Sequence, residues 1–143
     1  EVLSIQPVIQ DGLQKMDHHE GALVTFDHVS FSYQGSHALS DLSFSIEKGE
    51  TVGIIGGTGS GKSTLVNLIP RFYEASQGQI YIKDRPIQNY SLQSLRQMIG
   101  FVPQQALLFT GTIKDNICFG KEDASDEEII EALNLAQASF VKE

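Results

Sequence analysis

The sequence predicts an α/β fold: a three-layer core with a mostly parallel sheet, and an antiparallel β subdomain ahead of it. Three observations carry this expectation. The glycine-rich stretch Gly56-Gly57-Thr58-Gly59-Ser60-Gly61-Lys62-Ser63-Thr64 stands between a short apolar run and an amphipathic pattern. Two stretches of strict apolar/polar alternation precede it, the mark of half-buried strands. After it, short apolar runs alternate with helical patterns, as in layered α/β chains.

Taken in order, residues 1–21 are mixed and polar, with Pro7, Gly12 and the run Met16-Asp17-His18-His19-Glu20. They show no sustained periodicity and read as a linker or extension, the two histidines as surface residues. From Ala22 to Tyr33, Val29, Phe31 and Tyr33 alternate with Ser30 and Ser32, which predicts a strand. Gln34-Gly35-Ser36 turns the chain, and Leu42, Phe44 and Ile46 then alternate with Ser43 and Ser45 in a second strand. The two should pair antiparallel with one wet face. Thr51-Val52-Gly53-Ile54-Ile55 reads as a buried strand. Beyond the glycine-rich stretch, Leu65, Leu68, Ile69 and Phe72 have the spacing of one helix face.

Ser76-Gln77-Gly78 breaks the pattern, Gln79 to Lys83 reads as a strand, and Asp84-Arg85-Pro86 as a turn. Ser91 to Gln97 is a short helix with Leu92 and Leu95 inward, and Ile99-Gly100-Phe101-Val102 a second buried strand that Pro103 ends. Thr112 and Asp115 have the capping-box spacing for a helix that Gly120 closes, and Ser125 and Glu128 repeat it before Ile129, Ile130, Leu133 and Ala136.

The glycine-rich stretch fits G-x-x-x-x-G-K-S/T, with Gly56, Gly61, Lys62 and Ser63 at the defining positions. Its context, strand before and helix after, is that of a P-loop NTPase core. Glycines let successive N–H groups curl around a phosphate chain with no side chain in the way. The helix start adds unpaired N–H groups. Lys62 would reach the β- and γ-phosphates, Ser63 would hold a bridging Mg²⁺, and Thr64 would donate on the α-phosphate side. The plain alternative is a glycine-rich turn with a solvated lysine.

Composition narrows the function classes. The chain has 143 residues and 41% hydrophobic content, which suits one domain with a core. Its net charge of −8 argues against a nucleic-acid surface, where a basic stripe would be expected. An anionic nucleotide is still compatible, because a phosphate site is built locally. Glu122, Asp123, Asp126, Glu127, Glu128 and Glu131 form a late acidic cluster without interleaved His or Cys, and read as a solvated helix face. The lone Cys118 reads as a small core residue. No apolar run is long enough to span a bilayer.

The P-loop alone does not separate a kinase, a GTPase and a transporter motor. Three further stretches do: Phe31-Ser32-Tyr33 on the early strand, Gly49-Glu50-Thr51-Val52-Gly53-Ile54-Ile55-Gly56 leading into the loop, and Phe101-Val102-Pro103-Gln104 after a later strand. In this order they resemble the nucleotide-binding domain of an ABC transporter. The run from Gln104 through Leu108-Phe109-Thr110-Gly111-Thr112-Ile113 to Asn116-Ile117 is similar to the exporter branch, in which the motor is fused behind a transmembrane domain.

The resemblance implies ATP and Mg²⁺ as cofactors. It implies that Tyr33 stacks on adenine, and that Gln104 approaches the Mg²⁺ and the attacking water with a neutral amide that can donate and accept. It implies residues 1–21 as the linker from the transmembrane domain and 22–143 as the N-terminal part of the motor domain. The partners would be that transmembrane domain and a second motor domain, head to tail. The location would be the cell membrane, with this domain on the cytoplasmic face.

Two departures from the family stand out. Lys83-Asp84-Arg85 replaces the usual Asp-Gly turn. More important, nothing matches the Leu-Ser-Gly-Gly-Gln signature, the second metal-binding Asp with its following Glu, or the switch His, so the chain looks truncated before the signature motif. Weak Mg-ATP binding without turnover is therefore expected. The alternatives are a non-catalytic nucleotide-binding module and another P-loop NTPase such as a small-molecule kinase.

Overall fold

A computed structural model describes residues 9, 11, 12, 21–105 and 107–142. The chain divides into two compact units, Glu1–Gly100 and Phe101–Glu143.

In the first unit, β1 (Val24–Tyr33) and β2 (Ser36–Ile46) form the expected antiparallel hairpin. Tyr33 pairs with Ser36 across a two-residue loop in which Gln34 and Gly35 both have positive φ, at 42° and 92°. That backbone twist matches the strands it joins. β3 (Gln77–Ile82) lies antiparallel on the other side of β1, and β4 (Arg85–Pro86) closes a four-stranded sheet in the order β2-β1-β3-β4. The turn into β4 falls at Lys83-Asp84, both at positive φ, one residue earlier than the Asp84-Arg85-Pro86 expected.

Gly78 belongs to β3 and does not break the chain. Its φ is +76°, and a Cβ there would stand 2.1 Å from the His28 carbonyl oxygen, so only glycine fits where β1 bulges.

Among the described residues of this unit the α-helices are α1 (Lys62–Leu68) and α2 (Leu92–Gln97), with a 3₁₀ turn at Ile87–Asn89. α1 stops before Pro70, which has no N–H to continue the helical ladder. Phe72, expected on the same face, therefore lies beyond the helix and is exposed. Ser91 caps α2, its hydroxyl accepting from the Ser94 N–H at 3.1 Å. Val24, Phe26, Val29, Phe31, Ile80 and Ile82 from the sheet pack with Leu65 and Leu68 of α1 and Leu95 of α2. Phe26 also stacks on Phe44 with ring centroids 4.6 Å apart.

Two expected strands are not formed. Thr51–Ile55 has no strand pairing, and Val52, Ile54 and Ile55 are exposed, Ile55 at 98%. Residues 99–102 likewise carry no ladder, and Val102 is 93% exposed. All pairings among the described residues are antiparallel and involve β1 to β4. An apolar run becomes a buried strand only when neighbours supply both hydrogen-bonded edges, and no described segment does so here.

The second unit holds α3 (Ile113–Ile117), a single 3₁₀ turn at Cys118–Gly120, α4 (Asp126–Leu135) and a 3₁₀ turn at Ser139–Lys142. Both expected capping boxes are present. Thr112 accepts from the Asp115 N–H while the Asp115 carboxylate accepts from the Thr112 N–H, and Ser125 and Glu128 do the same. Cys118 is half-buried, whereas a core position was expected. Of the 1–21 reading, including His18 and His19, all but residues 9, 11, 12 and 21 lie outside the described residues. Asp11 accepts from the Leu92 N–H, and the Gly12 N–H donates to the Tyr90 carbonyl at 3.1 Å.

Candidate functional site

The glycine-rich loop runs into α1 through two left-handed glycines, Gly59 at φ +81° and Gly61 at φ +86°. Gly61 has a second constraint. A Cβ on it would lie 2.5 Å from the Ala38 carbonyl oxygen and 2.7 Å from a Leu39 methyl, so the helix start presses against β2 where only glycine fits.

The Lys62 ammonium folds back over its own loop. It donates to the Gly56 carbonyl at 2.8 Å and the Gly57 carbonyl at 2.7 Å, with the Ser60 hydroxyl at 3.4 Å. Gly56 sits close enough that an added Cβ would meet Ser60 Oγ at 2.4 Å. The loop thus closes as a ring around a cation. Thr58 and Ser63 are exposed, and Thr64 is buried.

At the end of β1, the Tyr33 hydroxyl lies 3.2 Å from Thr64 Oγ1, a direct tie between the aromatic and the helix that carries the loop. Its ring meets Phe31 and Tyr73 edge-on, with centroids 4.7 and 5.3 Å away. It remains 41% exposed, so part of its surface can accept a flat partner.

Tyr33 and Gly59 to Thr64 line one cavity of about 320 Å³. The structure therefore brings together the aromatic and the second half of the loop from distant parts of the sequence. Gly56 and Gly57 join them through Lys62. Gln104 follows Pro103 in the second unit and is exposed. The sequence reading left out Ser36, His37 and Ala38, which line the same cavity. The signal for them was the hairpin register: with a two-residue loop at 34–35, the first residues of β2 must lie beside the end of β1.

These residues suit a polyphosphate and a magnesium ion. Gly57 and Gly59 leave open space where a side chain would otherwise stand, Lys62 supplies the positive charge, and Ser63 offers a hard oxygen donor of the kind Mg²⁺ takes. Among the described residues there is no cluster of His, Cys, Asp and Glu for a tightly held metal.

A glycine-rich loop that runs into a helix start, with the tyrosine at the end of β1 tied to that helix, is the arrangement of a P-loop nucleotide-binding protein. The comparisons make the assignment narrower. Residues 39–143 match the ABC transporter family, and the chain belongs to that family. It is 53% identical over 116 residues to the Bacillus subtilis ABC transporter ATP-binding protein YfiB, covering 80% of this chain and 20% of that protein. It is 47% identical over 129 residues to a Staphylococcus aureus protein named for multidrug export, an ATP-binding/permease protein, covering 89% and 22% respectively. The chain thus spans about a fifth of the length of the curated relatives it matches. The structure of a bacterial Atm1-family ABC exporter with ATP bound superposes with a TM-score of 0.87 at 35% identity, over 99% of this chain and 25% of that one. The fold is therefore that of an exporter ATP-binding domain. No described helix is long and apolar enough to cross a membrane.

Proposed function

We propose that residues 22–143 are the N-terminal part of the nucleotide-binding domain of an ABC exporter, and that residues 1–21 are the linker from its transmembrane domain. The observation that carries this reading is the cavity shared by Tyr33 and Gly59 to Thr64. It offers a stacking surface and a phosphate cradle within one space. Tyr33 stacks on the base, and the N–H groups of the loop from Gly56 to Thr64 take the phosphate chain. Lys62 exchanges the Gly56 and Gly57 carbonyls for β- and γ-phosphate oxygens, a stronger charge-assisted bond. Ser63 would hold Mg²⁺, and for Gln104 the family resemblance implies a neutral amide that would act on the metal and the attacking water. The metal, when bound, spreads the charge of the phosphate oxygens.

In the whole protein, ATP binding and hydrolysis in this domain drive transport. The partners are the transmembrane domain and a second nucleotide-binding domain arranged head to tail, at the cytoplasmic face of the cell membrane. Nucleic acid is not a partner, in keeping with the net charge of −8. This chain by itself binds Mg-ATP weakly and does not turn it over. The sequence supplies no Leu-Ser-Gly-Gly-Gln segment and no Asp-Glu pair ending an apolar strand, so the carboxylate that the family resemblance assigns to deprotonating water has no counterpart in it.

The test is calorimetric titration of the chain with Mg-ATP beside Lys62→Ala and Tyr33→Ala, with phosphate release followed in the same samples. Saturable binding that Lys62→Ala weakens by about 10-fold or more, without release, is the expected result. Turnover that Lys62→Ala abolishes would refute the inactive reading. Binding indifferent to both substitutions would refute the site.

A further inference from the structure

We infer that Asp11 and Gly12 form a strap that fastens the N-terminal segment to the approach of α2, and that the strap, when seated, favours nucleotide binding at the phosphate loop. The second half rests on the nucleotide reading above.

Two contacts seat the strap. The Asp11 carboxylate accepts from the N–H of Leu92, the first residue of α2. An N–H at that position has no partner within its own helix, and the Ser91 cap is engaged with the Ser94 N–H instead. One residue on, the Gly12 N–H donates to the Tyr90 carbonyl at 3.1 Å. A Cβ on Gly12 would stand 2.4 Å from the carbonyl oxygens of Gln88 and Tyr90 and 2.5 Å from the Asn89 carbonyl carbon. These are backbone atoms, which cannot swing aside as a side chain can, so the contact requires glycine.

The backbone under the strap is anchored, and its bonds lead to the phosphate loop. Tyr90 is buried, and its hydroxyl donates to the Ile82 carbonyl of β3 at 2.8 Å. The Tyr90 carbonyl that takes the Gly12 N–H also accepts from Nη1 of the buried Arg71 at 3.5 Å. Arg71 stands just past α1, and its N–H donates to the Leu68 carbonyl at 3.1 Å. From the last turn of α2, Arg96 donates to the Pro70 carbonyl at 3.0 Å and to the Arg71 carbonyl at 3.1 Å. The approach to α2 and its last turn are thus both bonded to the exit of α1, whose first residues are Lys62, Ser63 and Thr64. Releasing the strap loosens the start of α2 and, through these bonds, α1. Freedom that a ligand must then remove lowers its affinity, and the seated strap removes it beforehand.

The experiment follows amide exchange in the 143-residue chain, Asp11→Ala and Gly12→Ala, with and without Mg-ATP, beside calorimetric titration of each with Mg-ATP. Both variants are expected to speed exchange at the Leu92 N–H by about 10-fold and to leave β1 and β3 unchanged. Both should weaken Mg-ATP by about 3-fold, and by linkage Mg-ATP should slow Leu92 exchange in the wild type by a similar factor. Leu92 exchange unaltered by either variant would overturn the strap. Equal Mg-ATP affinity in the wild type and both variants, with Leu92 released, would overturn its influence on the site. Faster exchange throughout β1 and β3 would overturn it as a local device, because the variants would then act by unfolding the unit. Absence of Mg-ATP binding by the wild type would instead bring down the nucleotide reading, and Leu92 exchange would still decide whether the strap is seated.

Discussion

The two units of the chain are held by different forces. In Glu1–Gly100, sheet and helices surround side chains such as Phe26, Val29 and Leu95, all at or below 1% exposure. In Phe101–Glu143 no described apolar side chain is buried, and Leu108, Ile113, Phe119 and Leu135 are all more than half exposed. What orders the second unit is local: two capping boxes, the Lys114–Asp126 pair at 2.7 Å, the Lys121–Glu128 pair at 2.5 Å and Asn116. The amide of Asn116 accepts from the Phe109 N–H at 2.7 Å and donates to the Phe109 carbonyl at 3.0 Å. Phe109 and Phe119 stack at 4.2 Å in solvent. A core makes the first unit cooperative, whereas caps and exposed ion pairs order single helices locally and weakly.

The largest expected contrast is in the apolar side chains. Leu95→Ala, at 0% exposure, should cost about 2–5 kcal/mol by cavity formation. Leu135→Ala, at 79% exposure, should stay within about 0.5 kcal/mol. Urea unfolding of both variants checks this, and a large cost at Leu135 would break the comparison.

A smaller effect is expected at the caps. Ser125→Ala removes the acceptor for the Glu128 N–H and should weaken α4 by about 1 kcal/mol while leaving β1 and β2 unchanged. Amide exchange across residues 126–135 and 24–46 separates the two.

The smallest effect is on pH dependence, where the units differ in sign. Asp115 is held below the ordinary aspartate value of 3.8 chiefly by the Thr112 N–H, and Glu128 below 4.5 chiefly by the Lys121 ammonium, then by the Ser125 N–H. A depressed carboxyl stabilises the folded form above its unfolded pKa, and that contribution is lost as pH falls through the folded value. In the hairpin, His28 is raised above 6.5 by the Asp41 carboxylate 2.6 Å away, with Asp27 adding to it. That contribution is full below the unfolded value and is lost as pH rises through the folded one. Acidification below about 4 should therefore loosen α3 and α4, and raising the pH past neutrality should loosen the hairpin around Asp27 and Asp41. Residue-resolved amide exchange against pH reads both, and a common sign would contradict the assignment.

Legibility in the sequence followed the same division between local and distant causes. The hairpin, α2, both capping boxes and the glycine loop were readable, because each depends on residues within a few positions of one another. Thr51–Ile55 and residues 99–102 were misread as formed strands for the opposite reason. Apolar content says that a segment can be buried between neighbours, and says nothing about whether those neighbours pair with it. Gly78 was read as a break because a strand glycine and a loop glycine look alike until the close His28 carbonyl is seen. Ser36, His37 and Ala38 escaped notice because they belong to no motif, and their place beside the cavity comes from the strand paired with them.

By itself, the sequence determined the loop from Gly56 to Thr64, the hairpin, the caps and the family resemblance, all properties of short stretches with strict geometric needs. The tertiary structure alone decided that Tyr33 ties to Thr64, that β2 passes within contact of Gly61, and that Ser36, His37 and Ala38 share the cavity. Those facts depend on which distant backbones the fold brings within a few ångströms, and the paired strands β1 and β2 set that distance.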